Sequence, residues 1–163
     1  MIGFRGVYAS SETSAQAGRR FEFDESTGAF VGAGWSTRAN CQYPQELAIA
    51  LRRRSRVEQI EIVSHEYMVA SRVEIYAGSR PGSLGAEAGR QQTDADAVGE
   101  YFTCSFELLG SIELSEPADN TDGRPGREHR TVNLPHPAQA DYLRLVVSAP
   151  HPHPQNPDAQ VCL

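Results

Sequence analysis

Apolar and polar residues alternate with a period of two through almost every legible stretch of this chain, which restricts it to half-buried β-strands. Leu47, Ile49 and Leu51 alternate with Glu46, Ala48 and Ala50, and Ile60 and Ile62 with Gln59 and Glu61. Val73, Ile75 and Ala77 share one face of a third strand, and Phe102, Cys104, Phe106 and Leu108 one face of a fourth. Leu143, Leu145 and Val147 mark a fifth, and shorter candidates lie at Gly3 to Ala9, Arg20 to Phe23 and Thr131 to Leu134. No segment repeats apolar residues at helical spacing over three turns. Turn formers punctuate the strands: Ser26-Thr27-Gly28, Gly32-Ala33-Gly34, Arg80-Pro81-Gly82, Asp122-Gly123 and Arg124-Pro125-Gly126. About eight short antiparallel strands with such turns predict an all-β sandwich or barrel without a helical subdomain.

The 163 residues make about one domain, large enough to bury a core without disulfides or metal. Two connections are long: residues 79–99, rich in Gly, Ala, Gln and Asp and expected to be a mobile surface loop, and the polar residues 116–127. A proline-rich tail spans residues 150–160, and Pro150, Pro152, Pro154 and Pro157 keep 150–157 out of any central strand. The terminal Val161-Cys162-Leu163 turns apolar again. That ending predicts a last strand cut short, and a chain that is the N-terminal part of a longer protein.

All fifteen Lys+Arg cations are arginine, so a Schiff-base lysine and the lysine of a phosphate-binding loop are both excluded. The net charge of −6 argues against nucleic-acid coating, and no apolar run is long enough for a membrane span. Three cysteines without a C-x-x-C pair fit reduced thiols and no zinc ribbon, as expected of a soluble intracellular protein.

The stretch from Gly34 to Tyr76 carries a resemblance. It reads Gly34-Trp35-Ser36, Cys41-Gln42-Tyr43-Pro44-Gln45-Glu46-Leu47, Val57 to Met68 with His65-Glu66-Tyr67-Met68 at its end, and Ser71-Arg72-Val73-Glu74-Ile75-Tyr76. With Ile2-Gly3-Phe4, Leu109-Gly110, Arg127-Glu128 and Thr131-Val132, this resembles the N-terminal jelly-roll domain of the centrosomal protein of 104 kDa family of the ciliary tip. Approximate correspondence covers nearly the whole chain, densest over about forty residues. It departs at His129, where a leucine is common, and in residues 79–99, richer in Gly and Ala than usual.

The resemblance implies an antiparallel jelly-roll β-sandwich of galactose-binding or discoidin type. It also implies a non-catalytic domain of a microtubule-associated protein at the cilium or flagellum tip, binding axonemal or tip partners and possibly tubulin. The coiled coil, tubulin-binding TOG domain and zinc fingers of that family have no counterpart in this chain, so their functions do not transfer. Related jelly rolls include carbohydrate-binding modules and a calcium-binding intraflagellar-transport adaptor. These supply two rival readings.

Arg52, Arg53, Arg54 and Arg56 lie between two predicted strands, and a turn there would project four guanidinium groups together toward an acidic surface such as tubulin's glutamate-rich tails. A solvated turn is the plainer explanation. Trp35 and Tyr43 are the stacking platforms a carbohydrate reading needs. Asp119, Asn120 and Asp122 are weak calcium candidates, which Asp24-Glu25-Ser26 would have to complete; turn formation explains them equally. Cys41 with His65 would be required for thiolate catalysis, but burial is the commoner fate of a free cysteine. His65-Glu66 lacks the second histidine of a helical zinc site, and His151 and His153 fit a proline-rich tail. No cofactor is expected.

Overall fold

A computed structural model describes residues 1–13, 21–32, 34–82, 94–117 and 127–163. The elements in chain order are β1 (Phe4–Ala9), β2 (Glu22–Asp24), β3 (Ala29–Val31), β4 (Gln45–Val63), β5 (Arg72–Ser79), α1 (Asp94–Tyr101), β6 (Ser105–Glu113) and β7 (His129–Val147). All seven strands hydrogen-bond into one antiparallel sheet in the order β3-β2-β1-β4-β7-β5-β6.

β4 and β7 decide the architecture. Each is 19 residues long. Drawn straight, such a strand would reach about 60 Å, whereas a compact domain of this size is about 40 Å across. Both therefore bend, at two places where their mutual pairing shifts. Between Ala50 and Ser55, β4 carries the surplus residues; between Val57 and Gln59 the surplus lies on β7, in the stretch that holds Pro135 and Pro137. Prolines are tolerated there because no ladder donor is required of them. The first half of β4 pairs with β1 and the end of β7, and the second half with the beginning of β7, so the sheet folds on itself. The result is the expected antiparallel β-sandwich of jelly-roll type.

The main core lies between the layers: Trp35, Leu47, Ile62, Val69, Val73, Ile75, Ile112, Leu145, Val147 and Val161 form one buried cluster. Leu51, Val57, Ala77, Leu134, Ala140 and Leu143 extend it. These are the inward positions of the period-two pattern.

Two expectations are corrected. The arginine run is not a turn, because residues 51–57 belong to one continuous strand, β4. Part of the expected 79–99 loop is the helix α1, seated on the sheet by Ala97 and Tyr101, so Phe102 follows a helix instead of opening β6. Residues 83–93 of that loop lie outside the described residues, as do 118–126 of the second. The apolar ending is folded into the sandwich. Val161 is fully buried, and residues 161–163 run between two chain segments, bonded to Trp35 and Thr37 on one side and to His65 and Met68 on the other. Gly34 makes room for this: its φ is +77°, and a Cβ there would stand 2.5 Å from the Leu163 carbonyl oxygen. The short β3 had no expectation attached to it.

Candidate functional site

Of the four arginines singled out in the sequence, Arg52, Arg53 and Arg54 lie on β4 where its pairing with β7 lapses, and Arg56 pairs with Gln139 just beyond. Each meets a carboxylate: Arg52 that of Glu22, Arg53 that of Glu25 at 2.8 Å, Arg54 that of Asp141 at 2.9 Å and Arg56 that of Glu58 at 3.2 Å. They divide by exposure. The side chains of Arg52, Arg53 and Arg56 are 49%, 58% and 61% exposed, that of Arg54 only 26%. Arg54 serves the fold, because its Asp141 partner is buried and also accepts the Arg80 backbone N–H at 3.1 Å, tying β4 and β7 to the end of β5. The other three form an exposed strip whose charge is balanced at close range. An acidic partner must displace Glu22, Glu25 and Glu58, exchanging one screened ion pair for another.

The carbohydrate platforms do not exist as such. Trp35 is 3% exposed, and its indole N–H donates to the Ser11 carbonyl at 2.9 Å. The Tyr43 hydroxyl donates to the Ala159 carbonyl at 2.8 Å and lies 3.0 Å from the Thr37 hydroxyl, so that ring closes the terminal segment over the core. The Cys41–His65 pair also resolves into packing. The His65 ring turns toward the Tyr67 N–H and the Tyr67 ring, and burial lowers its pKa. The His151 ring meets the Leu114 carbonyl at 2.8 Å, and the His153 ring stacks on Tyr67. Asp119, Asn120 and Asp122 lie outside the described residues; among the described residues no cluster of His, Cys, Asp or Glu has metal-binding geometry. Asp24 is occupied in its own turn, where it accepts from the Ser26 N–H and hydroxyl.

The sequence reading missed a second surface on the outer face of the sheet. Arg144 of β7 extends between the rings of Tyr76 and Phe106, its guanidinium carbon 4.3 and 4.4 Å from their centroids. Nearby, Tyr101 of α1 stacks on Tyr8 and donates its hydroxyl to Glu46 at 2.7 Å. A cation placed among apolar neighbours in Leu143-Arg144-Leu145 was the available signal. Its aromatic partners come from other strands and follow only from register.

Several acids here hold their protons tightly. Burial pushes the Cys104 thiol up to about 11 and the Tyr43 phenol up to about 12. Burial and the hydrogen bond to Glu46 also raise Tyr101, and burial raises Cys162. Unfolding at alkaline pH therefore releases protons that the folded chain retains, starting from the ordinary values of 9.0 for cysteine and 10.0 for tyrosine. Stability is expected to be level from neutrality to about pH 8.5 and to fall from about pH 9 upward. Urea unfolding between pH 7 and 11 checks this; a midpoint that does not fall above pH 9 contradicts it.

An antiparallel β-sandwich whose two longest strands bend and fold one sheet onto itself defines the class: a domain of the jelly-roll fold. Solved structures share that fold. The N-terminal domain of the single-strand break repair protein XRCC1 aligns with a TM-score of 0.59 at 15% identity, over 100% of this chain and 95% of that one. The family 32 carbohydrate-binding module of C. perfringens NanJ, in complex with galactose, aligns with a TM-score of 0.55 at 14% identity, over 97% and 94%. Among curated proteins, the centrosomal protein of 104 kDa of Homo sapiens is 25% identical over 166 residues, covering 99% of this chain and 15% of that protein. Its counterpart in Rattus norvegicus is 31% identical over 145 residues, covering 89% and 13%. Residues 34–163 match the family described as centrosomal protein CEP104, N-terminal domain, and the chain belongs to that family. It spans about 15% of the length of its human relative. No helix among the described residues is long and apolar enough to cross a membrane.

Proposed function

We propose that this domain is a non-catalytic binding module of a microtubule-associated protein of the ciliary or flagellar tip, attaching it to axonemal or tip partners, tubulin among them. Membership of the centrosomal family carries this reading. The surface chemistry supports it, since arginines and aromatic rings remain at the surface. Arg52, Arg53 and Arg56 are the residues proposed to meet tubulin's acidic tails, exchanging their internal carboxylates for the partner's.

Co-sedimentation with stabilised microtubules tests this, with wild type beside Arg52→Ala/Arg53→Ala/Arg56→Ala and with Arg54 left intact. Each exposed pair contributes up to about 1 kcal/mol, so the triple variant is expected to bind about tenfold more weakly at low salt, and both proteins to bind less at physiological salt. Equal binding by the two proteins removes the arginine strip from the reading. No binding by either removes tubulin and leaves tip proteins as partners, sought by pull-down from isolated cilia.

A further inference from the structure

We propose that the outer face of the sheet around Arg144 is a docking site for a protein segment carrying a single carboxylate beside an aromatic or aliphatic side chain. The Arg144 guanidinium receives the carboxylate, while Leu108 covers the apolar neighbour. This inference rests on the binding-module reading above and names the surface and the partner chemistry.

Register builds the face. Tyr8 pairs with Ala48, Ala48 with Arg144, Arg144 with Tyr76, and Tyr76 with Leu108. Directly paired residues point to the same side of a sheet. The neighbouring row of Leu47, Leu145 and Ile75 enters the core, so this row points outward. Helix α1 covers only one part of it, where Ala97 and Tyr101 pack on Ala48, Ala50 and Tyr142. At the helix end Phe102 stands against Tyr8 with ring centroids 5.1 Å apart and remains 63% exposed, and Leu108 on β6 is 53% exposed. From Arg144 to Leu108 three strands are crossed, about 10 Å at ordinary strand spacing, which an extended segment of about three residues spans.

Arg144 supplies the chemistry. Every arginine of β4 and β5, and Arg130 on β7 itself, meets a carboxylate. Arg144 meets none among the described residues, and its Nε is buried without a hydrogen-bond acceptor. Two aromatic faces hold it instead, so the side chain is already ordered before a ligand arrives. The clamp is specified locally: the Phe106 ring lies over Gly78, where an added Cβ would come within 2.5 Å of it. With both faces of the guanidinium stacked, its in-plane N–H groups are what remains for a bidentate carboxylate.

The carboxylates of the same face explain why one acid fits and a polyacidic run does not. Glu46 accepts from the Tyr101 hydroxyl, and Glu74 from the Tyr76 hydroxyl at 2.8 Å and from Arg72 at 3.2 Å. They are engaged by other donors, yet their charges, with the chain's net −6, oppose a second and third acid. Tyrosine, phenylalanine and arginine around a preordered centre are the residue types that dominate binding hot spots.

The test is selection of a random dodecapeptide library against the full chain, followed by fluorescence polarisation of the enriched peptides. Peptides with one Asp or Glu next to an aromatic or aliphatic residue are expected. Affinity should fall about tenfold or more when that acid becomes its amide, and equally with Arg144→Gln. Arg144→Lys should fail to restore it, since the ammonium lacks the planar fork. Leu108→Ser, at a position 53% exposed, should also weaken binding. The proposal is overturned by a selection without enrichment, by peptides that bind Leu108→Ser and Arg144→Gln as wild type does, or by concentration-dependent dimerisation abolished by Leu108→Ser. Microtubule binding through Arg52, Arg53 and Arg56 is expected to persist in Arg144→Gln, so the module reading stands even where the peptide results overturn this site. A wild-type chain that binds neither partners nor peptides removes both.

Discussion

Deletion of Val161, Cys162 and Leu163 is expected to remove about 5 kcal/mol or more of stability, a large part of what a domain of this size possesses. Five backbone hydrogen bonds go with the segment: Trp35 N–H to the Leu163 carbonyl at 2.8 Å and its reciprocal at 2.9 Å, Thr37 N–H to Val161 at 2.9 Å, Cys162 N–H to Met68 at 2.9 Å and His65 N–H to Cys162 at 3.0 Å. At about 0.5–1.5 kcal/mol each, these alone amount to about 2.5–7.5 kcal/mol. The Val161 side chain, wholly buried against the core cluster, adds about 1.5–3 kcal/mol. Part of the hydrogen-bond loss is recovered as water reaches the freed groups, which brings the expectation back to about 5 kcal/mol. The melting temperature should therefore drop by about 10–20 °C. Trp35 is the sole tryptophan and lies directly against this segment, so its emission should shift red and become accessible to acrylamide. A truncated chain that melts within a few degrees of wild type, with tryptophan emission unchanged, contradicts this account.

The same residues show where a sequence can be read and where it cannot. Alternation identified the inward faces of β4, β5 and β7 because one period-two pattern decides which side of a half-buried strand meets the core. It failed where two strands are one. Residues 51–57 read as a turn because a charged run interrupts the pattern, although the run contains no Gly, Pro, Asn or Asp to make a turn. Pro135 and Pro137 read as the end of a strand for the opposite reason, since the lapse in pairing that tolerates them depends on β4. Helix α1 escaped detection because two turns with Gly99 inside offer little periodicity, and its burial rests on Ala97 and Tyr101. Trp35 and Tyr43 were legible as aromatic residues but not as buried or exposed ones. That depends on the 161–163 segment, more than a hundred residues away. The arginine strip was visible as charge, while of the acids that balance it Glu22 and Asp141 lie on other strands and Glu25 in the turn after β2.

That balance makes the four arginines separable. Arg54→Met is expected to cost about 2 kcal/mol, lowering the melting temperature by about 4–8 °C, whereas Arg53→Met should stay within about 0.5 kcal/mol. Breaking a buried pair leaves the remaining charge without compensation. Here that charge is Asp141, 6% exposed in its side chain, which would retain the Arg80 N–H at 3.1 Å and the Arg80 Nε at 3.9 Å. Partial exposure of Arg54 places the expected cost below the 3–5 kcal/mol typical of a fully buried pair. The Arg53–Glu25 pair is hydrated on both sides, so loss of either member is screened by water and salt. A double-mutant cycle between Arg54 and Asp141 should give a coupling that survives 1 M salt, while the cycle between Arg53 and Glu25 should give one that vanishes there. Equal couplings, or equal single-variant losses, would put all four arginines on one footing and restore the picture of a uniform basic turn. If instead they separate, a variant that removes all four mixes unfolding with loss of binding, and only Arg52, Arg53 and Arg56 report on an acidic partner.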